Sequence, residues 1–462
     1  MARDIRIIGT YPPTRCGIGT FSRDLATALY GFTGEVGAVK VAAIDKDNED
    51  YYAPVDLVIR KYDRGSWIRQ AARMEAIAQE SKNPTTILSQ HEYGLDPLIK
   101  DNGDNQDCRG NNYVEMARRF ARNPNLTHLV YLHTVLEGGD ANSHQIQTLQ
   151  ELARYSDGLI VTTKGAVDTL SKQPYNISPN KLKHIDHGIR INNRDRLDTK
   201  KRLGAEGVFL ATQLGLRSPG KGIQYFIPGI GQFIKGSLTD QQREGFCAVI
   251  AGQYHPDFIK HEGGRHYDEH KRQLLKAIKE AGLRFKEFQH IEEARSSDFA
   301  ENDILSFDVF LSESNLLDFY SATNVNILPY LNLSQVSSGI LADTLGSSRV
   351  PIATKFKYAR EMLDLRVYDL GIKRTRRGIL VDPERPKQIA EGLDFLVFNK
   401  DDRLEMEVSS GERGHQMRWP FVTEILLRHL DYVEGRKSNT SGRGVTFTRL
   451  KESTFNQEIP FS

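Results

Sequence analysis

The sequence predicts an α/β protein built from two open parallel sheets in succession, each flanked by helices. Three observations carry this expectation. Short β-branched and aliphatic runs alternate with helical stretches, which is the pattern of parallel strands joined by crossover helices. The series stops at a polar interval and then restarts. The chain also has 462 residues, more than one hydrophobic core usually supports, so two domains of about 200 residues each are expected.

The first series places strands at 5–8, 39–44, 86–88, 126–132 and 158–162. Between them apolar residues recur at three- and four-residue steps, as in Phe21, Leu25, Ala28 and Leu29, or Trp67, Ala71, Met74 and Ala78. That spacing puts one helix face on a sheet. A polar stretch at 192–203 follows, and the domain boundary is placed near residue 205. The second series runs through 208–214, 246–251, 325–328, 350–353 and 378–381. Residues 417–433 read as one amphipathic helix, and 434–462, polar, basic and rich in Ser, Thr and Gly, as a disordered tail. The expected organisation is a first domain at 1–205, a second at 206–416, the helix and the tail.

Composition narrows the function classes. With 39% apolar and 26% charged residues the chain should fold as a soluble protein. Its 62 basic and 60 acidic residues leave a net charge of +2, too little to recruit nucleic acid. Cys16, Cys108 and Cys247 are odd in number and widely spaced, which supports neither a disulfide framework nor a metal site and fits a reducing compartment. Met1 runs directly into Ile5, Ile7 and Ile8 without a secretory pattern, and no apolar run is long enough to cross a bilayer. A cytoplasmic protein is expected. Membrane contact would need a basic face such as Arg118, Arg119 and Arg122, for which a solvated helix face is the simpler account.

Polar and glycine-rich segments follow several of the expected strands. After the first comes a loop containing Cys16, Gly17, Ile18 and Gly19, whose glycines admit close backbone approach and whose following helix N-terminus favours negative charge. A dinucleotide fingerprint is one reading, but Ser22 stands where a third glycine belongs and Asp45 lies beyond the usual ribose-binding position. A tight strand-to-helix turn is the other. Gln90, His91 and Glu92 follow the strand at 86–88, and His133 follows the one ending near Tyr131. Ligands of open parallel sheets bind at that strand edge. None of these residues has metal-ligand spacing, so no metal is expected.

In the second half Arg217, Lys221 and Gly222 occupy a strand-to-helix turn, where a planar fork, a point charge and exposed N–H groups suit a phosphate. A solvated basic turn is the bland account. Further on, Ser337, Ser338 and Gly339 enter a helix after the strand at 325–328 and offer hydroxyl and backbone donors.

In this order the segments YPPTRCGIGTFSRDL (11–25), QHEYG (90–94), LHT (132–134), HGI (187–189), SPGKG (218–222) and SSGILAD (337–343) resemble the retaining family 4 glycosyltransferases. The similarity extends to about Val433. It implies a GT-B fold: two Rossmann-like domains with parallel sheets facing across a cleft, an N-terminal acceptor domain, a C-terminal nucleotide-sugar domain, and a final helix returning to the first domain. It also implies transfer of a hexose from a nucleoside-diphosphate sugar to a sugar or other hydroxyl acceptor, without a metal or cofactor. His133 matches the family's active-site histidine and is assigned, with Glu92, to the transfer step. Lys221 matches the lysine that neutralises the donor diphosphate. The family arginine before it falls on Leu216, so the adjacent Arg217 is assigned in its place. Gly17, Gly19, Ser337, Ser338 and Gly339 complete the expected donor site. The family's two glutamates fall on Gln335 and Asp343, a substitution found in a subgroup with Gln and Ser-Ser-Gly. A disaccharide phosphorylase and a non-catalytic sugar-nucleotide binder share the fold and remain as alternatives.

Overall fold

The computed structural model describes residues 2–96, 111–255, 258–259, 264–364 and 371–440. Cys108 and residues 441–462 lie outside them. The first half holds a seven-stranded parallel sheet of β1 (Arg3–Gly9), β2 (Val36–Asp45), β3 (Val55–Arg60), β4 (Thr85–His91), β5 (Leu126–Leu132), β6 (Gly158–Val161) and β7 (Leu182–His184). Their order is β3-β2-β1-β4-β5-β6-β7. The chain thus builds outward from β1 on one side, then resumes with β4 on the other, and the crevice at that reversal is where an open α/β sheet binds ligands.

The second half repeats the plan with β8 (Phe209–Leu214), β9 (Phe246–Ala251), β10 (Phe285–Phe288), β11 (Ile304–Phe307), β12 (Val325–Leu328), β13 (Val350–Thr354), β14 (Lys373–Arg374) and β15 (Ile379–Val381). The order is β10-β11-β9-β8-β12-β13-β15-β14. Only β14 is antiparallel to its neighbour among the paired strands described. Here the reversal falls between β8 and β12.

Both faces of the first sheet are covered, so its inner strands carry buried apolar residues on each side. Ile7, Leu88, Leu129 and Tyr131 face Phe21, Leu25 and Leu29 of the helix Gly17–Tyr30. Ile8, Ile87, Val130 and Leu132 face Trp67, Met74, Tyr113 and Phe120 on the opposite side. The ten expected strands are all interior to their sheets. Missing from the expectation are the four edge strands β3, β7, β10 and β14, together with the four-residue β11. An edge strand has one neighbour and less burial, so it lacks the continuous apolar run by which a central parallel strand is recognised.

The closing helix is longer than expected. It runs over Trp419–Thr440, laying Trp419, Val422, Leu426, Leu427, Leu430 and Val433 on the first half's helix side. Residues 434–440, expected to be disordered, continue this helix, and the polar side chains of Glu434 and Lys437 meet the sheet's lower edge. Glu434 accepts from the Thr86 hydroxyl at 3.4 Å and faces Arg3 at 3.6 Å. Lys437 donates to the Leu126 carbonyl and pairs with Asp157 at 2.7 Å.

The two crossings between halves lie side by side. Ile189 N–H donates to the Met417 carbonyl at 3.0 Å, and Trp419 N–H donates back to the Ile189 carbonyl at 3.1 Å. Gly188 lies flat on the Trp419 indole, where an added Cβ would come within 2.4 Å of the ring. No helix among the described residues is long and apolar enough to cross a membrane.

Candidate active site

At the β1/β4 reversal the loop after β1 ends at Cys16, which caps the helix Gly17–Tyr30: its Sγ accepts from Gly19 N–H at 3.2 Å and lies 3.0 Å from the Thr10 hydroxyl. Gly17 is exposed with open space beside it, and Gly19 is buried against the Thr14 carbonyl. Arg15 on this loop reaches the other half, its guanidinium 4.9 Å from the Phe310 ring centre.

His133 follows β5, with its backbone N–H on the His91 carbonyl at 3.1 Å. Its Nε2 meets Gln90 Oε1 at 2.8 Å. Burial pushes its pKa down to about 3, with smaller contributions from His187 and His91, so the ring is neutral. Phe21 presents its ring to two histidines, 4.9 Å from His133 and 5.1 Å from His187. His187 in turn lies beside Gly339, at whose Cα an added Cβ would sit 3.9 Å from its ring. A continuous row of side chains thus leads from β5 of the first half to the start of the helix Gly339–Gly346 of the second.

Glu92 is not part of that row. Its carboxylate accepts from the Thr134 hydroxyl and from Tyr93 N–H at 3.1 Å. Burial raises its pKa despite both bonds. His91 points to the opposite face of β4, between the rings of Tyr93 and Tyr113, with its pKa pushed down to about 4 by burial. It is a core residue.

In the second half the turn after β8 is pressed onto the end of β12. Gly222 has φ +70°, and a Cβ there would lie 1.9 Å from the Pro329 carbonyl oxygen, so only glycine fits. Leu331 N–H donates to the Gly220 carbonyl at 3.0 Å. This sets the half-buried Lys221 ammonium 3.9 Å from the Tyr330 ring centre, and no carboxylate among the described residues pairs with it. Ser338 caps the helix Gly339–Gly346, accepting from Leu341 N–H at 3.2 Å. Gln335 Nε2 donates to the Ser337 carbonyl at 2.6 Å and braces the loop. Asp343, one turn into the helix, has its pKa pushed up to about 7 by burial and by Asp24, against the pull of Arg190.

Arg217 is not beside Lys221 in function. Its guanidinium is buried and donates to Ser306 Oγ at 3.0 Å and to the Ile250 and Phe307 carbonyls at 2.9 and 2.6 Å. It ties the ends of β9 and β11 together. Adjacent residues leaving a strand point to opposite sides, and no motif spacing distinguishes a guanidinium spent on carbonyls from one left for a ligand.

The loop from β12 is held by both halves. Val336 is buried in the first half's core and its carbonyl accepts from the Thr162 hydroxyl at 2.9 Å. Ser334 Oγ donates to Asp140 at 2.7 Å. Glu361 accepts from the N–H groups of Lys164 and Gly165 at 2.9 and 3.1 Å. Gln90, Phe21, His187 and Val336 were not assigned roles from sequence, although QHEYG and HGI contain two of them; their convergence is through space.

Neither a protein-family model nor a curated protein sequence matches the chain. Solved structures do. Anabaena Alr3699/HepE in complex with UDP aligns at a TM-score of 0.65 with 12% identity, covering 93% of this chain and 100% of that one. Sucrose-phosphate synthase from Thermosynechococcus elongatus aligns at 0.67 with 13% identity, covering 94% and 100%. A UDP-forming α,α-trehalose-phosphate synthase from Burkholderia xenovorans aligns at 0.63 with 12% identity, covering 94% and 99%. At such identities the likeness concerns the fold, which is GT-B: two Rossmann-like halves with parallel sheets facing across a cleft.

Proposed function

We propose that the protein is a retaining hexosyltransferase that moves a sugar from a nucleoside-diphosphate donor to a hydroxyl acceptor. The reading assigns the acceptor to residues 1–205 and the donor to 206–416. The observation that carries it is Lys221, a half-buried cation held over Tyr330 with no carboxylate partner among the described residues, beside the loop that ends in the capped helix Gly339–Gly346. A cation so placed, next to free helix N–H groups, suits a diphosphate.

As the glycosidic bond breaks, negative charge grows on the leaving diphosphate. Lys221 and the N–H groups around Ser337, Ser338 and Gly339 are already in place to receive it, so little reorganisation is needed in the transition state. The reading gives this task to the protein's own donors rather than to a metal. Neutral His133 hydrogen-bonds a hydroxyl of the donor sugar and orients it for attack from the side the leaving group departs. Arg217 and His91 support the strands, and Glu92 acts through Thr134.

The Anabaena structure holds UDP and the Burkholderia synthase is UDP-forming, so UDP and UDP-glucose are the first ligands to test, followed by the GDP and ADP counterparts. A ligand that binds only the native state raises its melting temperature by mass action. The expected result is stabilisation by one nucleotide family, and release of that nucleoside diphosphate when a sugar acceptor is added. Stabilisation without turnover would support a binding protein, and turnover only with inorganic phosphate a phosphorylase.

A further inference from the structure

Gln90 is fully buried at the C-terminal end of β4, and two features lock it there. Gly9 of the neighbouring β1 leaves the space its stem occupies, since a Cβ on Gly9 would lie 2.9 Å from Gln90 Cβ and Cγ. The Tyr113 hydroxyl donates to the Gln90 backbone carbonyl at 2.7 Å. Its side chain spends one bond, Oε1 to His133 Nε2 at 2.8 Å. Its own Nε2 is buried with no partner. An orphaned buried donor is costly, and an apolar side chain of the same length would avoid that cost. The amide is thus poorly explained by packing.

The effect falls on the imidazole. With Oε1 as acceptor, the His133 proton sits on Nε2 and the lone pair on Nδ1. Nδ1 makes no hydrogen bond among the described residues and, unlike Nδ1 of His91 and His128, is not sealed from solvent. The titratable groups acting on the ring are His187, from the segment after β7, and His91 at the end of β4; both are themselves held neutral by burial.

We propose that Gln90 is a positioning residue that fixes the ring orientation and the Nε2–H tautomer of His133, so that Nδ1 accepts a hydrogen bond from a hydroxyl of the donor sugar. This rests on the transfer reading above. A carbonyl oxygen suits the task where a carboxylate would not: it accepts the proton's hydrogen bond without stabilising the charged imidazolium.

The test combines histidine nitrogen NMR with kinetics on the full chain, using Gln90→Met and Gln90→Glu. In the wild type, His133 should be neutral with its proton on Nε2; a proton on Nδ1 overturns the proposal. Gln90→Met should stay folded, lose the tautomer preference, and lower kcat about tenfold or more with little change in donor KM, the scale lost when a histidine's orienting partner is removed. In Gln90→Glu the carboxylate favours imidazolium, so the acid limb of the kcat profile should move to higher pH and activity should recover as the ring deprotonates. Wild-type kcat and pH profile in both variants, with His133→Ala inactive, would refute Gln90's role and leave the transfer reading standing. Near-normal turnover in His133→Ala would remove the role of His133 and overturn the proposal, whereas a wild-type chain that turns over none of the nucleotide sugars would sink the transfer reading itself.

Discussion

The Thr162 hydroxyl at the end of β6 donates to the carbonyl of Val336 at 2.9 Å, so a residue of the second half's loop after β12 is anchored inside the first half. Its side chain is fully buried in that half's core. Order in the loop that carries Gln335, Ser337 and Ser338 is therefore linked to contact between the halves.

Val336→Ala should weaken that link. Removing buried methyl groups costs about 1–3 kcal/mol where neighbours do not collapse into the space, and the loss here falls on the contact between halves. Donor KM should rise more than acceptor KM, and small-angle scattering should show a more open average shape. An unchanged donor KM with a lowered melting temperature would make Val336 a core residue and nothing more.

Lys221→Ala tests the anion site. Because Lys221 has no carboxylate partner among the described residues to orphan, the fold should be nearly as stable as before. Calorimetry should show diphosphate-linked donors binding about tenfold or more weakly, the loss of one charge-assisted contact, with the free sugar unaffected. Equal losses for both ligands would remove the phosphate role.

His133→Ala should keep the fold and most of the nucleotide affinity while turnover falls about a hundredfold or more, the scale of a lost transition-state contact. Steady-state kinetics beside a melting curve separates this from a packing role, in which stability and activity would fall together.

Asp343 makes stability depend on pH. Its folded pKa, about 7, stands above the ordinary aspartate value of 3.8, so between these limits the native state holds a proton that the unfolded chain has released. Stability from this group is present at acid pH and is lost as pH rises from about 4 to about 7. Asp343→Asn should remove that slope and be the more stable form at pH 8. Parallel melting temperatures for the two proteins across this range would contradict the assignment.

The sequence by itself determined the two-sheet plan, the ten interior strands and the placing of the glycine turns. Those features are local: a strand buried on both faces is rich in apolar residues on both sides, and a turn such as that at Gly222 must be glycine. The turn that carries Lys221 and the helix start at Ser338 were legible for the same reason, since each lies at a fixed offset from a strand end. Which polar side chains meet one another was set by folding. Gln90 and His91 are neighbours on β4, yet one orients His133 and the other fills the core, because successive strand residues point to opposite faces. Arg217 has all the chemistry of a phosphate ligand but is spent on the carbonyls of Ile250 and Phe307. The row of His133, Phe21 and His187 joins three distant segments, and the closing helix runs on past 433 where Glu434 meets Arg3 and Thr86 and Lys437 meets Asp157. Contacts between residues hundreds of positions apart leave no periodic trace in either partner, so folding alone brings them into view.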